Sequence, residues 1–338
     1  MEINTSFCAV IPPVPANTPR PLWSIMIPTY NCANYLRETL TSVLSQDLGP
    51  EVMQIEVIDD CSTKDDPQAI VEEIGKGRVG FYRQPQNVGH TRNFEACLKR
   101  SRGHLVHLLH GDDCVREGFY QKMQKAFEIQ PEIGAAFCRP MLIDENSHWQ
   151  RILEIEQQKS GVLDSWLEKI ATEQRILTPS IVVRRDVYEV LGGFDSRLSW
   201  SEDWEMWVRI AANYPIWYET EPLALYRRHS SSNTDLYEKT GENIRDLIRA
   251  INIIQSYLPE NISKETFKKS KKLVALQSLG LANFMLSKHE LISATNQIKE
   301  GLKCSYSFDT ITSLIVMLTR VGLREIKSSF SSLKKAYN

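Results

Sequence analysis

The chemical feature that stands out in the sequence is a pair of adjacent carboxylates, Asp112 and Asp113, shortly after the apolar run LVHLL at residues 105–109. The run predicts a buried strand, so the two like charges lie next to a low-dielectric core, where they repel each other and are poorly solvated. A neighbouring arginine, a helix N-terminus or a divalent cation would each compensate them. A simple helix-capping pair before Glu117 is the alternative.

A second carboxylate pair, Glu202 and Asp203, lies in the segment SEDWEMW. A positioned carboxylate can act as a general base that takes a proton from a hydroxyl group. The macrodipole also favours acidic residues at a helix N-terminus, and both roles are compatible because capping would hold the side chain in place. Trp204 and Trp207 have helical spacing and are expected to pack in the core. Trp200 precedes the helix and is expected to lie in a loop.

The elements that must position these residues alternate between strands and helices. The strand patterns SIMIP, IEVID, VGFYR and LVHLL are each followed by a helical pattern, the last near Phe119. This alternation predicts an α/β fold with a mostly parallel sheet flanked by helices. Ligands of such sheets bind outside the carboxyl ends of the strands. The clusters PTYN, DDCS and HGDD follow the first, second and fourth strands, so we expect them to meet at one edge.

The pattern changes further along the chain. AAFCRPMLI, SIVVRR, PIWYE and LALYRR predict additional strands, with SEDWEMWVRIA as a helix between them, and beyond about Ser232 only helical patterns occur. We therefore expect an irregular, proline-rich N-terminal lead-in over residues 1–21, an α/β domain over 22–234 and a helical C-terminal region over 235–338.

Composition excludes several classes of protein. The chain has 338 residues, 42% apolar and 24% charged, which is typical of a soluble globular protein, and its net charge of −2 argues against a nucleic-acid partner. Seven dispersed cysteines without CxxC spacing favour reduced thiols over a disulfide framework or a zinc site. Prolines interrupt the first apolar stretch, and no apolar run is long enough to span a membrane. We expect a cytoplasmic protein, attached at most to the cytoplasmic face of a membrane.

Six stretches in this order resemble a known family. They are SIMIPTYNCANYL, IEVIDDCSTKD, NVGHTRN, LLHGDD, LGGFDSRLSWSEDWEMW and YRRHSSS, and they span residues 22–232. Together they resemble the family 2 glycosyltransferases, inverting enzymes of the glycosyltransferase A (GT-A) fold. Two positions depart from the family pattern: His110 stands where members often have an acidic residue, and Cys61 where they often have glycine.

The resemblance implies a nucleotide-diphospho-sugar donor, Mn²⁺ or Mg²⁺ as cofactor, and roles for individual residues. Asp203 would be the catalytic base, and the metal would be bound by Asp113, Asp112 and His229. Trp200 and Glu202 would contact the acceptor. The donor would be bound by Pro28, Thr29, Tyr30, Asp60, Arg92 and Asp112.

Several of these residues also have structural interpretations. Pro28 can simply end a strand, and Arg92 or His229 can be a solvated surface residue. Asp60 can form an Asx-turn, although we expect the preceding Asp59 to take that role and Asp60 to accept the ring N–H of uracil.

We therefore expect an inverting glycosyltransferase that moves a sugar from a UDP-linked donor to a glycan or lipid-linked acceptor of the cell envelope. One alternative is a nucleotidyltransferase of related fold, but this would require a glycine-rich phosphate loop where PTYNCAN stands. The other is a non-catalytic scaffold that retains the fold, and the presence of Asp203 argues against it.

The tail carries a separate signal. Apolar residues at positions 311, 314, 315, 318 and 321 follow helical spacing, and five basic residues follow at 320, 324, 327, 334 and 335. Either this helix lies in the interface of an anionic membrane, or its apolar stripe packs on the rest of the helical region.

Overall fold

A computed structural model describes residues 5–230 and 232–320 of the chain. One compact unit ends at His229 and a second begins at Ser230. The boundary predicted from the sequence, after residue 234, lies inside the helix Asn233–Thr240. In the structure the second unit begins before that helix.

The first unit is built on a mixed sheet whose strand order is β3-β2-β1-β4-β9-β6-β10-β5, with β7 paired to β6 and β8 to β10. The pairings among β3, β2, β1 and β4 and between β6 and β10 are parallel, and the others are antiparallel. The strands are β1 (Trp23–Thr29), β2 (Met53–Asp59), β3 (Gly80–Arg83), β4 (Leu105–Leu108), β5 (Cys114–Val115), β6 (Ala135–Ile143), β7 (Trp149–Ile152), β8 (Gly161–Val162), β9 (Ile181–Arg184) and β10 (Ile216–Arg227).

Helices connect and flank these strands, and they make up the second unit. In the first unit they are α1 (Ala33–Leu44), α2 (Pro67–Gly75), α3 (His90–Arg100), α4 (Phe119–Ile129), α5 (Trp166–Thr172), α6 (Arg185–Leu191) and α7 (Glu202–Ala211). In the second they are α8 (Asn233–Thr240), α9 (Glu242–Tyr257), α10 (Glu260–Ser287) and α11 (Leu291–Cys304), followed by a helix over residues 308–320.

Local sequence explains why the elements begin where they do. All seven residues of β1 are buried, as expected for a central strand covered on both faces. Helix α2 begins with Pro67 after Asp66, whose carboxylate accepts a hydrogen bond from the Ala69 N–H at 3.3 Å. The N-terminus of α1 is capped from a distance, because Asp65 accepts from the Ala33 N–H at 2.8 Å.

The predicted α/β class with flanking helices is confirmed, but one strand assignment was wrong. PIWYE and LALYRR, predicted as two strands, form the single strand β10. Its pairing with β6 shifts register between Glu219 and Ala224, around Pro222. Proline interrupts a regular ladder because it has no N–H, which is why the sequence pattern reads as two pieces.

The segment before β1 is irregular but docked on the first unit. The Ala9 carbonyl accepts from the Gly193 N–H at 2.7 Å, and the Phe7 carbonyl accepts from the Ser196 N–H at 3.0 Å. Ile11 is buried. The N-terminal segment therefore supports the turn that leads into α7.

The helices of the second unit have a small apolar core of their own. Leu279, Met285, Ala294 and Met317 are buried together, and Leu314 packs against them. Ile315 and Leu318 of the same terminal helix are 59% and 52% exposed. No helix within the described residues is long and apolar enough to cross a membrane.

Candidate active site

The carboxyl ends of β1, β2 and β4 meet at one edge of the sheet, which confirms the expectation for the three polar clusters. The Pro28 carbonyl accepts from the Gly111 N–H at 3.0 Å, and the Thr29 carbonyl accepts from the Asp60 N–H at 2.9 Å. A Cβ atom at Gly111 would lie 2.9 Å from Oγ1 of Thr29, so this close approach requires glycine. Pro28 and Thr29 are buried, and the Tyr30 ring is half exposed beside them.

The carboxylate pair after β4 is held from the end of β10. Asp113 is buried, and its Oδ1 accepts from the backbone N–H of Arg227 at 2.8 Å. His229 Nε2 lies 3.0 Å from Asp112 Oδ2. The structure therefore places the predicted ligand His229 against Asp112, but the group of ligand atoms that lie close together contains His110 with Asp112 and Asp113, and not His229.

The guanidinium of Arg227 makes its hydrogen bonds to other groups than the carboxylate of Asp113, although its charge offsets part of the rise in the pKa of that carboxylate. Its Nε donates to the Asp112 carbonyl at 2.8 Å, and its Nη2 donates to Glu38 Oε2 at 2.7 Å. The Tyr35 ring lies under the guanidinium, with 4.7 Å between Cζ and the ring centroid. Arg227 thus fixes the backbone of the strand end, while its own charge is matched by Glu38.

Asp113 keeps one carboxylate oxygen, Oδ2, that is buried without a hydrogen-bond partner. His110 Nδ1 lies 3.6 Å from this oxygen, and His110 Nε2 is likewise buried and without a partner. Among the described residues, His110, Asp112 and Asp113 form the one group whose ligand atoms all lie within 4.8 Å of one another. Two carboxylates and an imidazole suit a divalent cation, so these residues fit a metal ion.

The electrostatics of the pair are asymmetric. Burial and the charge of Asp112 raise the pKa of Asp113 well above its usual range. Burial opposes ionisation of Asp112 too, but the hydrogen bond from His229 and the charges of His110 and His229 lower its pKa. Imidazole therefore compensates the charge of Asp112, whereas the backbone N–H and the charge of Arg227 compensate that of Asp113 only in part.

Asp59 and Asp60, at the end of β2, have different partners. Asp59 accepts from the Ser62 N–H and hydroxyl and from Arg83 Nε, which confirms its predicted turn role. The two oxygens of Asp60 accept from the N–H groups of Val88 and Gly89 at 2.7 and 3.0 Å. Asp60 thereby ties β2 to the loop that starts α3.

The neighbouring Cys61 has a φ of 60°, in the left-handed region that favours glycine. This backbone conformation accounts for the glycine that often stands at this position in the family, and Cys61 adopts it although it carries a side chain.

Arg92 lies in the first turn of α3 and is exposed. Within the described part of the chain it forms no hydrogen bond or ion pair with the other predicted site residues. Its neighbour His90, the first residue of the helix, points the other way: its Nε2 lies 3.2 Å from Glu202 Oε1. Burial opposes protonation of His90, but the hydrogen bond and charge of Glu202 raise its pKa.

The second carboxylate pair lies at the start of α7. Glu202 is buried, and its Oε2 has no hydrogen-bond partner. Asp203 is half-buried, and burial together with the charge of Glu202 raises its pKa to about 7. Burial lowers the pKa of His110, and the charges of Asp112 and Glu202 oppose that effect, so the two carboxylate pairs are within electrostatic reach of the same imidazole.

The side chains that hold Asp203 were not predicted from the sequence. Gln174 Nε2 donates to its Oδ2 at 2.8 Å, and Thr178 Oγ1 donates to the same oxygen at 3.1 Å. Trp200 is half-buried in the loop before α7, whereas Trp204 and Trp207 are buried, as predicted. His90 was not predicted as a site residue either, although its position directly after NVG, at the start of a helix, could have indicated that it lies near the carboxyl ends of the strands.

A mixed α/β sheet with flanking helices, and polar residues gathered at the carboxyl ends of its strands, defines a GT-A type nucleotide-sugar transferase. The sequence model for glycosyl transferase family 2 matches residues 24–232. The chain belongs to glycosyltransferase family 2.

Similar proteins agree with this assignment. An uncharacterized glycosyltransferase of Rickettsia typhi is 27% identical over 228 residues, which cover 65% of this chain and 68% of the relative. Among solved structures, S. aureus TarS 1–349 in complex with UDP-GlcNAc has a TM-score of 0.61 at 15% identity, covering 83% of this chain and 91% of TarS. The mannosyltransferase PcManGT of Pyrobaculum calidifontis, in complex with GDP-Man and Mn²⁺, has a TM-score of 0.57 at 16% identity, covering 97% of this chain and 87% of PcManGT.

Proposed function

We propose that this glycosyltransferase is an inverting enzyme that moves a hexose or related sugar from a UDP-linked donor to a glycan or lipid-linked acceptor of the cell envelope. One observation carries the proposal: the buried, unpartnered Oδ2 of Asp113, grouped with Asp112 and His110, offers a ligand set for the cation that a sugar diphosphate requires. The structural neighbours support the donor class, because TarS is known in complex with UDP-GlcNAc and PcManGT in complex with GDP-Man and Mn²⁺.

The metal, Mn²⁺ or Mg²⁺, would be held by Asp113 and Asp112, with His229 or His110 supplying an imidazole ligand. When bound, it neutralises the charge that develops on the diphosphate leaving group. The chain prepares this site with Arg227, whose N–H holds Oδ1 of Asp113 and leaves Oδ2 available.

Asp203 would act as the general base. It takes the proton from the acceptor hydroxyl as that oxygen attacks the anomeric carbon from the side opposite the leaving group, which inverts the configuration. A raised pKa of about 7 suits a base that works near neutral pH.

The remaining predicted residues would bind the two substrates. Each oxygen of Asp60 accepts one backbone hydrogen bond and retains a lone pair for the ring N–H of uracil. Pro28, Thr29 and Tyr30 would flank the base, and the exposed Arg92 would reach the nucleotide. On the acceptor side, Trp200 would stack on a sugar ring, and Oε2 of Glu202 would accept from a hydroxyl.

A screen of nucleotide sugars tests this function directly. We expect heat stabilisation by a UDP-sugar that needs Mn²⁺ or Mg²⁺, is absent in excess chelator and is lost in Asp113→Ala. NMR of the product should show inversion at the anomeric carbon. Turnover that persists in excess chelator, or a product that retains the anomeric configuration, would contradict the corresponding part of the proposal.

We also propose that the regions of the chain have different functions. Residues 22–234 would form the catalytic domain, preceded by the lead-in over 1–21, and the helical region over 235–338 would bring the enzyme to its acceptor at the cytoplasmic face of a membrane. Phe308, Ile311, Ile315 and Leu318 form an exposed stripe on the terminal helix, and Arg320 follows it. Position 321 and the basic residues at 324, 327, 334 and 335 lie outside the described residues.

Vesicle binding tests the membrane contact. Co-sedimentation with anionic vesicles should fall at high salt and in the double variant Ile315→Ser/Leu318→Ser, because both the apolar area and the charge attraction contribute. Val190→Ser, which removes another exposed apolar residue from α6, is the matched control. Binding that is equal in all three proteins, or absent from the wild type, would leave the stripe without this role.

A further inference from the structure

The segment between α5 and β9 reaches across to the start of α7 and holds one side of the Asp203 carboxylate. Gln174 and Thr178 both donate to Oδ2, at 2.8 and 3.1 Å. Within the described residues, Oδ1 accepts only from the backbone N–H of Trp204, at 2.6 Å. Neither side chain is adjacent to Asp203 in sequence, so the contact depends on the tertiary fold.

The two oxygens of the Asp203 carboxylate differ in how many hydrogen bonds they can still accept. An ionised carboxylate has about four lone-pair positions, two on each oxygen. Side-chain donors use both positions on Oδ2, and the Trp204 N–H uses one on Oδ1. Among the described residues no other donor reaches this carboxylate, so the position that is left for a substrate hydroxyl lies on Oδ1.

We propose that Gln174 and Thr178 are positioning residues for the transfer reaction, and that Oδ1 of Asp203 is the atom that receives the acceptor's proton. This inference rests on the proposed function. The acceptor O–H bond breaks, its proton goes to Oδ1, its oxygen bonds to the anomeric carbon, and the nucleoside diphosphate leaves with the electron pair of the broken glycosyl bond. The two donors prevent the carboxylate from rotating and stabilise its charged form.

The other charged side chains near Asp203 either raise its pKa or affect it through a neighbouring residue. Glu202, its neighbour on α7, disfavours the carboxylate, and His90 on α3 faces Glu202 and offsets that charge. Gln174 and Thr178 are thus the two side chains that favour ionisation of Asp203 by direct hydrogen bonding. Removing either one should shift the titration of Asp203 to higher pH, because a hydrogen bond to the charged form favours that form.

The test compares Gln174→Ala, Thr178→Val and Thr178→Ser with the wild type. The midpoint of Asp203 is followed by ¹³C NMR of carboxyl-labelled aspartate, with the signal assigned by its absence from Asp203→Asn. We expect the midpoint to rise by about one pH unit in Gln174→Ala and in Thr178→Val, and to stay in place in Thr178→Ser, which keeps the hydroxyl. Gln68→Ala removes an equivalent glutamine–carboxylate hydrogen bond, to Glu72 on α2, and is the matched control.

Turnover provides the second measurement. The probe is the UDP-sugar that stabilises the wild type, with release of nucleoside diphosphate followed from pH 5 to pH 9. The acid limb of kcat should move with the NMR midpoint, while KM for the donor stays unchanged. Because a midpoint raised from about 7 to about 8 lowers the ionised fraction at pH 7 from about one half to about one eleventh, kcat at pH 7 should fall about fivefold. A merely structural role would instead change KM and kcat together and leave the midpoint in place.

The outcomes separate the two claims. An unchanged midpoint in both Gln174→Ala and Thr178→Val, in a wild type that turns over the donor, overturns the positioning role and leaves glycosyl transfer standing. A wild type that turns over none of the nucleotide sugars overturns the proposed function, and with it the role of Asp203 as a base.

Discussion

Asp113→Asn removes one charge from the carboxylate pair at the end of β4 and keeps the shape of the side chain. In the wild type, Oδ1 accepts from the Arg227 N–H at 2.8 Å, whereas the buried Oδ2 has no hydrogen-bond partner. The asparagine oxygen can accept the same hydrogen bond, and the amide no longer carries the charge that burial and Asp112 disfavour. A buried polar group that is left uncompensated costs about 1–3 kcal/mol. We therefore expect the free energy of unfolding in chelator to be higher in the variant by about that amount.

A divalent cation should reverse this order. An ion that binds only the folded protein adds about 4.1 kcal/mol at a thousand times its Kd, which exceeds the 1–3 kcal/mol gained by the substitution. The wild type should show this increase with Mn²⁺, and Asp113→Asn should not. The variant would thus be the more stable protein without metal and the less stable one with it.

Urea unfolding measures the free energy of unfolding of the wild type and of Asp113→Asn, once in chelator and once with Mn²⁺. Asp47→Asn is the control, because Asp47 is a compensated carboxylate that accepts from Arg78 Nε and Nη2, both at 2.7 Å. We expect Asp47→Asn to lower the free energy of unfolding and to keep the response to Mn²⁺. If Asp113→Asn behaves in the same way, Asp113 is not an uncompensated metal ligand and the reasoning is wrong.

Three further expectations follow from the site and its surroundings. Asp203→Asn should leave donor affinity, measured by calorimetry, nearly intact and lower kcat by at least about a hundredfold, the usual contribution of a positioned base; loss of affinity with retained kcat would indicate a structural role. In the wild type, kcat should rise about tenfold per pH unit up to a pH of about 7 and then level off, because catalysis needs the deprotonated form of a carboxyl whose pKa is raised; a flat profile between pH 5 and pH 7 would exclude it. Cys61→Gly should change the free energy of unfolding by no more than about 1 kcal/mol, since relief of the left-handed conformation is offset by backbone entropy, whereas Cys61→Val should lower it. Equal effects of the two substitutions would contradict that explanation.

The convergence of the polar clusters at one edge of the sheet was predictable from sequence, because the carboxyl ends of parallel strands lie side by side. Asp60 and Asp112 are far apart in the chain, yet the alternation of strands and helices was enough to place both at one sheet edge. The alternation also predicted the α/β class, because each apolar run is followed directly by a helical pattern.

The features of the site that could not be predicted from the sequence depend on long-range contacts. Gln174 and Thr178 belong to an irregular segment, and nothing in their local sequence indicates that they reach Asp203. The strand β5 has only two residues, so its apolar pattern was too short to predict a strand. The strand β10 contains a proline at its register shift, so its pattern was too interrupted to predict one continuous strand. Neither His90 nor its partner Glu202 carries a local signal of their pairing.

The antiparallel strand β9, inserted between β4 and β6, has a consequence for how the chain assembles. The strands β1 to β4 all lie within residues 23–108, so they can pair with one another before the rest of the sheet has been synthesised. The partner of β4 on its other side, Ile181–Arg184, follows more than seventy residues later along the chain. During synthesis the four parallel strands can therefore be paired while the apolar edge at Leu105–Leu108 still lacks its second partner. Exposed strand edges promote association between chains, so this interval is when a nascent chain most needs a chaperone.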